Sequence, residues 1–572
     1  MASTAASAKE VPEGYVLHTE NTSHILLDAN AAFLNPVQEF NRDLSVASIR
    51  VWSEELNREK EARWRQKLER RQKSKEKSHA AKRMKVETSS ESVVDEAETS
   101  TLQSSSETPA NYPPYRFTIL EALSATGLRA LRYAKEIPLL KDVIANDLSP
   151  AAVEAMHRNV RYNGLDEQKT LQPDGSETVI PAKVKVNEGD ACSLMYSHRE
   201  EKNRVDVIDL DPYGTASPFI DGAVQAVKDG GLLCVTCTDL AVLATNNYPE
   251  KCFSNYGGVP VKAEYSHEAA LRLLLNTLST SAARYGRYIT PLLSLSIDFY
   301  IRVFVRVDTS PSEVKKSLTK TSTIYVCSSC QSFYNQPLGR VMEKKHDKSG
   351  HVNHLLKTHQ NTIPAKCEEC EGALHVAGPM WNGPLHDQAF MEKMLEHVDN
   401  NSDHYGTYAR MKGMLTVAKE ELNDSLFYFV PGKVAGHFHC ETPSLNEIAS
   451  ALLNAGFKVS RSHASPGSLK TNAGNRDIHD IYRAFIKTHP VKMDKVSPSS
   501  PAAKLLAKEP RLTIDFTSHP DSVTAAGKVK LVRYQENPAP NWGPGKKATG
   551  KSNAALKRKR PDDETAEADK MP

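Results

Sequence analysis

Short runs of β-branched and other apolar residues alternate with helical stretches between residues 113 and 307. The predicted strands include FTILEAL, DVIANDL, AKVKVNEGD, VDVIDLD and GLLCVTCTD, whereas SHEAALRLLLNTLSTSAARYG repeats its apolar residues with a helical period. Strands that alternate with helices favour a parallel sheet covered on both faces. The apolar run at 291–307 predicts two paired strands that complete the sheet. The pattern therefore predicts an α/β fold with a mostly parallel sheet.

The alternation of predicted strands and helices weakens on both sides of residues 113–307. These changes mark the predicted boundaries between segments of the chain. Residues 55–112 lose the apolar periodicity, first to mixed charge and then to a Ser-, Thr- and Glu-rich run that is too polar to form a core. The predicted segments, in chain order, are a disordered N-terminus (1–10), a short N-terminal segment (11–54), a charged helix with a low-complexity insertion (55–112), the α/β domain (113–307), a second domain (308–489) and a disordered basic tail (490–572).

Charge and composition narrow the class of protein. The 572 residues have a formal net charge of only +3, but basic residues are concentrated at 58–85 and in LKRKRP at 556–561. Such runs are typical of a solvated helix face or a tail, or alternatively of nuclear import or nucleic-acid contact. We find no apolar stretch near the ~20 residues of a membrane span and no signal-peptide layout. We expect an intracellular protein, whose nine cysteines favour metal binding or burial over disulfides.

Residues suited to ligand binding follow four predicted strands. Gly127 lies in EALSATGLRA after the first strand, Asp147 comes 20 residues later after the second, and Asp190 and Asp211 follow the third and fourth. In open α/β sheets, ligands bind at the carboxyl ends of the strands. An acid with the spacing of Asp147 can accept hydrogen bonds from a ribose. A dinucleotide oxidoreductase is disfavoured, because ALSATGLRA lacks the G-x-G-x-x-G sequence that lets a pyrophosphate approach the backbone.

The fourth strand end carries the sequence DLDPYG at 209–214. DPYG resembles the D-P-P-[YF] motif of class I methyltransferases that act on exocyclic amines, without the second proline; an ordinary Asp-Pro turn is the alternative. The lone pair of an aryl amine is delocalised into the ring. A carboxylate and a carbonyl that accept the two amine hydrogens would direct that lone pair at a sulfonium methyl, while an aromatic ring stacks on the base. Asp209 should lie deeper and support the loop, leaving Asp211 to contact the amine.

Three segments together resemble the tRNA guanine-26 N2-dimethyltransferase family: FLNPVQEFNRDLS at 33–45, DLDPYG, and GPMWNGPLHD at 378–387. The similarity covers nearly all of the foldable chain. It implies a Rossmann-like class I methyltransferase domain that depends on S-adenosylmethionine, followed by a smaller α+β C-terminal domain that helps to bind tRNA. It also implies transfer of methyl groups to the 2-amino group of guanosine 26, giving N2,N2-dimethylguanosine.

The resemblance also implies roles for individual residues. Those implied to bind S-adenosylmethionine are Phe33, Arg42, Arg129, Asp147, Asp190 and Ala191. Asp211 is implied to be the catalytic acceptor, with Pro212 and Tyr213 shaping the pocket for the base. Arg42 suits the methionine carboxylate, because a guanidinium can hold a carboxylate through two parallel hydrogen bonds.

The second domain carries two C-x-x-C sequences, formed by Cys327 with Cys330 and Cys367 with Cys370. Paired C-x-x-C turns place four thiolates tetrahedrally around zinc, so we predict a structural zinc ion without a role in the chemistry. The sequence between the pairs is rich in Lys and His, which predicts a protruding loop. Its histidines are alternative ligands: His346, His351, His354 and His359.

A polar loop near the end of the second domain carries Arg461, His463 and Lys470. By the resemblance this region contacts tRNA, whereas an ordinary charged surface loop is the alternative. The expected partners are tRNA and, through LKRKRP or AKRMK at 81–85, a nuclear import receptor. We expect the protein in the nucleus, with mitochondria or cytoplasm as further sites. The sequence is also compatible with a non-catalytic zinc-containing RNA-binding protein and with a methyltransferase acting on another RNA amine.

Overall fold

A computed structural model describes residues 10–28, 38–87, 111–171, 177–345, 350, 352–360, 363–523 and 527. Several features named in the sequence analysis lie outside the described residues. They are Phe33, His346, His351, residues 88–110 of the predicted insertion and the basic sequence at 556–561. None of the described helices is both long and apolar enough to cross a membrane.

The described residues form eighteen β-strands. In chain order they are β1 (Tyr15–Glu20), β2 (Ser23–Asp28), β3 (Phe117–Glu121), β4 (Leu140–Asp147), β5 (Gln168–Leu171), β6 (Glu177–Ile180), β7 (Val184–Glu188), β8 (Val205–Leu210), β9 (Val227–Cys237), β10 (Arg287–Ile297), β11 (Tyr300–Thr309), β12 (Thr321–Cys327), β13 (Phe333–Pro337), β14 (Gly339–Lys345), β15 (Val352–Thr358), β16 (Leu374–Trp381), β17 (Val459–Arg461) and β18 (Leu469–Thr471).

The same residues form fifteen α-helices. They are α1 (Glu39–Glu87), α2 (Leu128–Glu136), α3 (Pro150–Tyr162), α4 (Ala191–Ser197), α5 (Ser217–Ala226), α6 (Leu240–Leu243), α7 (Pro249–Tyr256), α8 (Ser266–Ala283), α9 (Pro311–Lys316), α10 (Gln388–Asn400), α11 (Tyr408–Glu420), α12 (Pro431–Phe438), α13 (Leu445–Asn454), α14 (Asn475–Thr488) and α15 (Pro501–Leu506).

Seven strands form one sheet in the order β10, β11, β9, β8, β3, β4 and β7. The β3–β4, β3–β8, β4–β7 and β8–β9 pairs are parallel, whereas β11 runs antiparallel to both of its neighbours, β9 and β10. The direction of winding reverses between β3 and β8, which is where an open α/β sheet binds ligands. The prediction of a mostly parallel α/β sheet is confirmed, and β10 and β11 are the two paired strands expected at 291–307.

Burial on both faces explains the composition of the central strand β8. All six of its residues, VDVIDL, are buried, as expected for a parallel strand covered by helices on both sides. Of its two acids, Asp206 accepts hydrogen bonds from Tyr115 Oη at 2.6 Å and from the Thr118 N–H at 3.0 Å. The other, Asp209, is satisfied by the ion network described below. An acid in a fully buried strand is stable only with such partners.

Helix α1 crosses the sheet domain and continues beyond it. Its first half is buried: Phe40, Leu44 and Trp52 are at most 3% exposed and share a hydrophobic core with β3 and β10. Between residues 61 and 74 most of the side chains are exposed. The predicted boundary at residue 55 therefore falls inside a helix, and the charged segment is an extension of a core helix.

Helices α10 and α11 come from the predicted second domain but pack with the first. Met391 and Met394 of α10 and Leu415 of α11 lie in the same core as Phe40 of α1. The predicted boundary at residue 308 therefore does not separate two hydrophobic cores. Deleting everything after it would expose the buried face of α1.

The rest of the C-terminal region is a smaller α+β layer around its own core. β12 pairs antiparallel with β13 and β16, and residues of α12 to α15 pack beside the four cysteines. The prediction of a disordered tail from residue 490 is wrong for its first part, because α15 forms at 501–506. Leu505 is 1% exposed in this core, and burial of its apolar side chain stabilises the segment.

Candidate active site

The loops after β3, β4 and β7 meet at one edge of the sheet. Asn146, fully buried in β4, donates from Nδ2 to the carbonyl oxygens of Ala122 (2.9 Å) and Gly189 (3.0 Å) and so ties the three strand ends together. Gly127, with φ of +78°, lets the chain after β3 turn into α2. A Cβ at Gly127 would lie only 3.1 Å from Met156 Cγ. The edge is therefore rigid and presents the N-terminus of a helix to a ligand.

Two acids follow β4 and β7 at this edge. Asp147 Oδ2 accepts from the Ala125 N–H and Oδ1 from the Ser149 N–H, both at 2.9 Å, so its carboxylate fixes two loops. Asp190 Oδ1 accepts from the Ser193 N–H at 2.8 Å and caps α4. Asp147 is half-buried and Asp190 is exposed. Both carboxylates keep lone pairs that can accept hydrogen bonds from the hydroxyl or amino groups of a ligand.

The loop after β8 is held from behind by Thr238. The Gly214 N–H donates to Thr238 Oγ1 at 2.7 Å, and the Thr238 N–H donates to the Gly214 oxygen at 2.9 Å. Gly214 has φ of +89°, a conformation that favours glycine. Pro212 is buried, whereas Tyr213 is 79% exposed. The hydrogen bonds to Thr238 hold the loop in place, and the loop exposes the Tyr213 ring to solvent.

Asp211 is anchored through one of its two carboxylate oxygens. Oδ2 forms an ion pair with Arg129 and accepts a hydrogen bond from Asn41 Nδ2 at 3.4 Å. Oδ1 makes no hydrogen bond to a described residue, and the side chain is 22% exposed. Asp211 is thus held in place while one oxygen stays available to a ligand.

Asp209 lies beneath Asp211 and is fully buried. Its carboxylate accepts from Arg302 Nη1 at 2.7 Å, from Arg302 Nη2 at 2.9 Å and from Tyr133 Oη at 2.5 Å, and Arg129 Nη1 lies 3.5 Å away. Burial alone would raise the pKa of Asp209, but Arg302 and Arg129 outweigh it, and the pKa lies below its usual value. This agrees with the expected supporting role of Asp209.

The Ser45 hydroxyl connects the two arginines of this network to α1. Ser45 Oγ accepts from Arg302 Nη2 at 2.8 Å and from Arg129 Nη1 at 3.0 Å, and it donates to the Asn41 carbonyl oxygen at 2.5 Å. The buried ion network, defined as Ser45, Arg129, Asp209, Asp211 and Arg302, therefore joins α1, α2, β8 and β11 behind the candidate site.

Glu121, at the end of β3, adds a titratable group to this region. It is 2% exposed; Oε1 lies 3.6 Å from Arg129 Nε, and Oε2 has no partner among the described residues. Burial raises the pKa of Glu121 to about 8, because the attraction of Arg129 does not offset the loss of solvation and Asp209 adds to the shift. At neutral pH the carboxyl group is therefore protonated.

Arg42 is engaged in a different ion pair. Its Nε and Nη2 donate to the two Glu20 oxygens at 2.7 Å and 2.5 Å, and Arg132 Nη1 donates to Glu20 Oε1 at 2.8 Å. These contacts fasten the β1–β2 hairpin to α1 and α2. A ligand carboxylate at Arg42 would have to replace Glu20.

The sequence pattern of the family described as N2,N2-dimethylguanosine tRNA methyltransferase matches residues 14–483. The chain belongs to this family. A relative from Schizosaccharomyces pombe named tRNA (guanine(26)-N(2))-dimethyltransferase is 45% identical over 530 residues, which cover 92% of this chain and 91% of the relative. A relative from Saccharomyces cerevisiae with the same name and the addition "mitochondrial" is 42% identical over 555 residues, covering 93% and 92%.

A solved structure gives the same assignment. The complex of Trm1 from Pyrococcus horikoshii with S-adenosyl-L-methionine is 25% identical, with a TM-score of 0.57, and the match covers 83% of this chain and 99% of that chain. The resemblance to the dimethyltransferase family seen in the sequence is therefore confirmed, together with the class I methyltransferase fold.

In this family member, the predicted site residues lie along one edge of the sheet, with two exceptions. Arg129 contacts Asp211 directly, and Asp147 and Asp190 follow neighbouring strands. Ala191 is buried in the first turn of α4. The exceptions are Phe33, outside the described residues, and Arg42, which is paired with Glu20. The roles assigned to these residues remain predictions.

Sequence reasoning missed Asn146, Ser45 and Arg302. Arg302 could have been recognised from its position in the apolar strand YIRVFVRV. An arginine in a buried strand needs a charged or hydrogen-bonding partner. Ser45 gives no such signal, since a serine on a helix is ordinarily unremarkable. Asn146 is recognisable only once the neighbouring strand ends are known to meet.

The four cysteines that are predicted to bind zinc lie together in the structure. Cys327 Sγ lies 3.4 Å from Cys370 Sγ, Cys330 Sγ lies 3.6 Å from Cys367 Sγ, and all four sulfur atoms lie within 4.8 Å of one another. A tetrahedral zinc with Zn–S bonds of ~2.3 Å separates its sulfur ligands by about 3.8 Å. A Cβ at Gly372 would lie 2.9 Å from Cys327 Sγ, so glycine lets the chain pass closely. The geometry fits a structural zinc ion.

The segment between the cysteine pairs is a hairpin rather than the expected loop. β14 and β15 pair antiparallel from Gly339 opposite Thr358 to Lys345 opposite Val352. His354 is exposed on β15, with Nδ1 3.8 Å from Glu343 Oε1. Of the histidines considered as alternative ligands, His354 and His359 are described and neither joins the four-sulfur cluster.

A second group of potential metal ligands, His386, Glu421 and His463, is buried near β10. Each imidazole has one nitrogen toward Glu421 and the other toward a backbone donor: the Ser294 N–H donates to His386 Nδ1 at 3.3 Å and the Ser296 N–H to His463 Nε2 at 3.2 Å. The lone pairs are thus used by the backbone, and the nitrogens that face Glu421 carry hydrogens. His463 Nδ1 lies 2.6 Å from Glu421 Oε2, whereas His386 Nε2 lies 3.7 Å from it and has no hydrogen-bond partner among the described residues. We therefore interpret the group as a buried cluster built around Glu421 and not as a metal site.

This cluster corrects the interpretation of the polar loop near the end of the chain. His463 and Lys470, considered as surface contacts for tRNA, are 3% and 1% exposed. His463 Nδ1 lies 2.6 Å from Glu421 Oε2, and Lys470 Nζ donates to Glu421 Oε1 at 3.0 Å and Glu268 Oε1 at 3.2 Å. Ion pairing to buried acids draws both side chains inward. Arg461 remains half-buried.

The cysteine geometry predicts one zinc ion per chain. Cys327→Ser or Cys367→Ser should remove the metal and lower the melting temperature of the C-terminal layer, because metal binding contributes directly to folding. Elemental analysis and thermal unfolding of the freshly purified full chain measure both effects, with Cys440→Ser, a cysteine outside the cluster, as the control. Metal-free wild-type protein of normal stability would contradict the assignment.

The raised pKa of Glu121 predicts a pH-dependent stability. The folded state keeps this proton up to a pH of about 8, whereas the unfolded chain loses it near the ordinary value of 4.5, so stability falls as pH rises between the two. Glu121→Gln keeps the side chain neutral. The melting temperature of the variant minus that of the wild type should therefore increase from about pH 5 to about pH 8. A constant difference, as expected for the exposed control Glu250→Gln, would show that Glu121 is ionised in the folded state.

Proposed function

We propose that this protein transfers methyl groups from S-adenosylmethionine to the exocyclic 2-amino group of guanosine 26 in tRNA, giving N2,N2-dimethylguanosine. The observation that carries the proposal is the Asp211 loop. In a chain of the dimethyltransferase family, it places an anchored carboxylate, with Oδ1 unbound by any described residue, beside an exposed aromatic ring at the switch point of the sheet.

The edge of the sheet has groups suited to the methyl donor. When bound, S-adenosylmethionine supplies an electrophilic methyl group on a sulfonium. Asp147 would accept hydrogen bonds from its ribose hydroxyls, Asp190 would accept from its adenine amino group, and Arg129 or Arg42 would hold its carboxylate. The Pyrococcus horikoshii relative was solved with this compound.

Asp211 orients the amine. Asp211 Oδ1 would accept one amine hydrogen, and the Pro212 carbonyl oxygen would accept the other, turning the nitrogen lone pair out of conjugation with the ring. The N–C bond would form as the bond between the sulfonium sulfur and the methyl carbon breaks, leaving S-adenosylhomocysteine. The amine would lose a proton, for which Asp211 is the nearest acceptor in the loop. Tyr213 would stack on the guanine.

Arg129 sets the starting state of Asp211. Their ion pair neutralises two charges in a half-closed site and holds the carboxylate ready. If Arg129 turns toward the carboxylate of the methyl donor, Asp211 is released to the amine. Binding of the cofactor would thereby prepare the site for the base.

The C-terminal layer, within 308–489, would hold tRNA, with the zinc ion stabilising it. The basic sequences at 81–85 and 556–561 support entry into the nucleus through an import receptor. The side chains of the first and the whole of the second lie outside the described residues. The mitochondrial name of the Saccharomyces cerevisiae relative supports a second location.

The activity is tested by incubating the protein with S-adenosylmethionine labelled in its methyl group and with two tRNA transcripts that differ only in guanosine or adenosine at position 26. Label should enter the guanosine transcript, and nucleoside analysis should identify N2,N2-dimethylguanosine. Equal labelling of both transcripts would favour another RNA amine, and no labelling with intact tRNA binding would favour a non-catalytic RNA-binding protein.

Asp211 variants test the proposed catalytic role. Asp211→Ala should cut the single-turnover rate at saturating tRNA by ~100-fold or more, because the lost interaction acts mainly in the transition state. Asp211→Asn retains an acceptor oxygen and should lose less. Binding of tRNA and cofactor should change little in both. An undiminished rate in Asp211→Ala would mean that the carboxylate only forms the turn.

A further inference from the structure

Helix α1 leaves the sheet domain as an exposed arm, which we call the α1 arm and define as residues 58–77. The helix is anchored at the start of the arm: Glu59 accepts from Arg306 Nη1 at 2.7 Å and Nη2 at 2.9 Å, and Lys60 Nζ lies 4.0 Å from the centroid of the Tyr115 ring. A helix fixed at its base and continuous with a buried core helix projects in a defined direction.

Four basic residues of the α1 arm lie on one side of the helix, and Arg58 and Arg65 lie on the opposite side. Arg63, Lys67, Arg70 and Lys77 recur at helical spacing with Ser74 between the last two, and we call these five residues the basic stripe. All five are exposed. One face of the arm is therefore a row of cations, about 21 Å long at 1.5 Å per residue.

One acid of the arm pairs with the basic stripe: Glu59 Oε2 lies 3.6 Å from Arg63 Nη2. Lys67, Arg70 and Lys77 form no ion pair with a described carboxylate, and helical geometry places Glu61 and Glu69 away from the centre of the stripe. Glu61 is paired instead with Arg65 at 2.6 Å. Like charges aligned along a helix repel one another, and a polyanion would remove that repulsion.

The chemistry of the arm favours RNA over a membrane surface. A helix that lies on a membrane needs a broad apolar face opposite its cations. Here the other side of the arm carries charges of both signs: Glu61, Glu69, Arg58 and Arg65. The Trp64 ring packs near the Tyr112 ring, 5.8 Å between centroids. A nucleic-acid backbone requires only the row of cations.

The position of the arm sets which part of an RNA it can reach. Asn41 contacts Asp211, and Arg63 and Lys77 lie 22 and 36 residues further along the same helix. At 1.5 Å per residue, these positions are about 33 Å and about 54 Å from Asn41. The basic stripe therefore lies far from the reacting base.

We propose that the basic stripe binds the phosphate backbone of tRNA in an arm remote from the methylated guanosine. The inference rests on the proposed function for the identity of the RNA. The stripe supplies affinity without reading sequence and without touching the reacting groups.

A matched pair of double variants tests this proposal. Lys67→Gln with Arg70→Gln removes two charges from the stripe, and Arg58→Gln with Arg65→Gln removes two exposed charges from the opposite side of the same helix. Glutamine preserves helix propensity. Binding of tRNA and of a short RNA hairpin that retains only the base pairs around the target guanosine is measured across salt concentrations for both variants and the wild type.

The stripe variant should bind tRNA more weakly at low salt. The slope of log affinity against log salt should fall by about 2, so that the variant loses about tenfold less affinity than the wild type between roughly 50 and 200 mM salt. The control variant should keep most of the wild-type slope. Binding of the short hairpin should be the same in all three proteins, and methyl transfer at saturating tRNA should be undiminished in the stripe variant.

Wild-type tRNA binding by the stripe variant, or an equal loss in the control variant, would overturn the proposal. A loss on the short hairpin would overturn the remote contact. Failure of the proposed function is recognised separately: the wild-type protein would then transfer no methyl group to tRNA, while the binding comparison would still decide whether the stripe holds RNA.

Discussion

The buried carboxylate of Asp209 is the constraint on which the site depends. An acid in the middle of a fully buried strand is stable only if cations compensate it, and here Arg302 and Arg129 do so from two different elements. Removing either partner would leave an uncompensated charge in the core. The strand that ends in the Asp211 loop is thus tied to α2 and β11 by charge as well as by hydrophobic packing.

The ion pairs of Asp209 are connected to elements in the rest of the structure. Ser45 brings α1 into the network, and the buried half of α1 packs against α10 and α11 from the C-terminal region. The candidate catalytic loop is therefore connected through this network and core to α1, to the sheet, and to α10 and α11 of the C-terminal region. The zinc-type cluster belongs to a different core, which separates metal-dependent stability from the position of Asp211.

The sequence predicts the parts of the site that depend on local pattern. Strand periodicity and turn residues locate Asp147, Asp190 and Asp211, because the carboxyl ends of parallel strands meet at one edge. Cysteine spacing likewise predicts the four-sulfur cluster. Long-range pairing is not visible: Ser45 and Arg302 are 257 residues apart, and Lys470, which resembles a surface residue, is buried by its ion pair with Glu421. The basic face of α1 is readable from sequence, but its direction requires the fold.

The most direct test of this account is the single-turnover methyl-transfer rate of Asp209→Asn at saturating S-adenosylmethionine and tRNA. Asparagine keeps the shape of Asp209 but removes the charge that compensates Arg302 and Arg129. If the buried ion network positions Asp211, the rate should fall by roughly tenfold or more although Asp211 is intact, with little change in the affinity for tRNA. A wild-type rate in a folded Asp209→Asn protein would contradict the account.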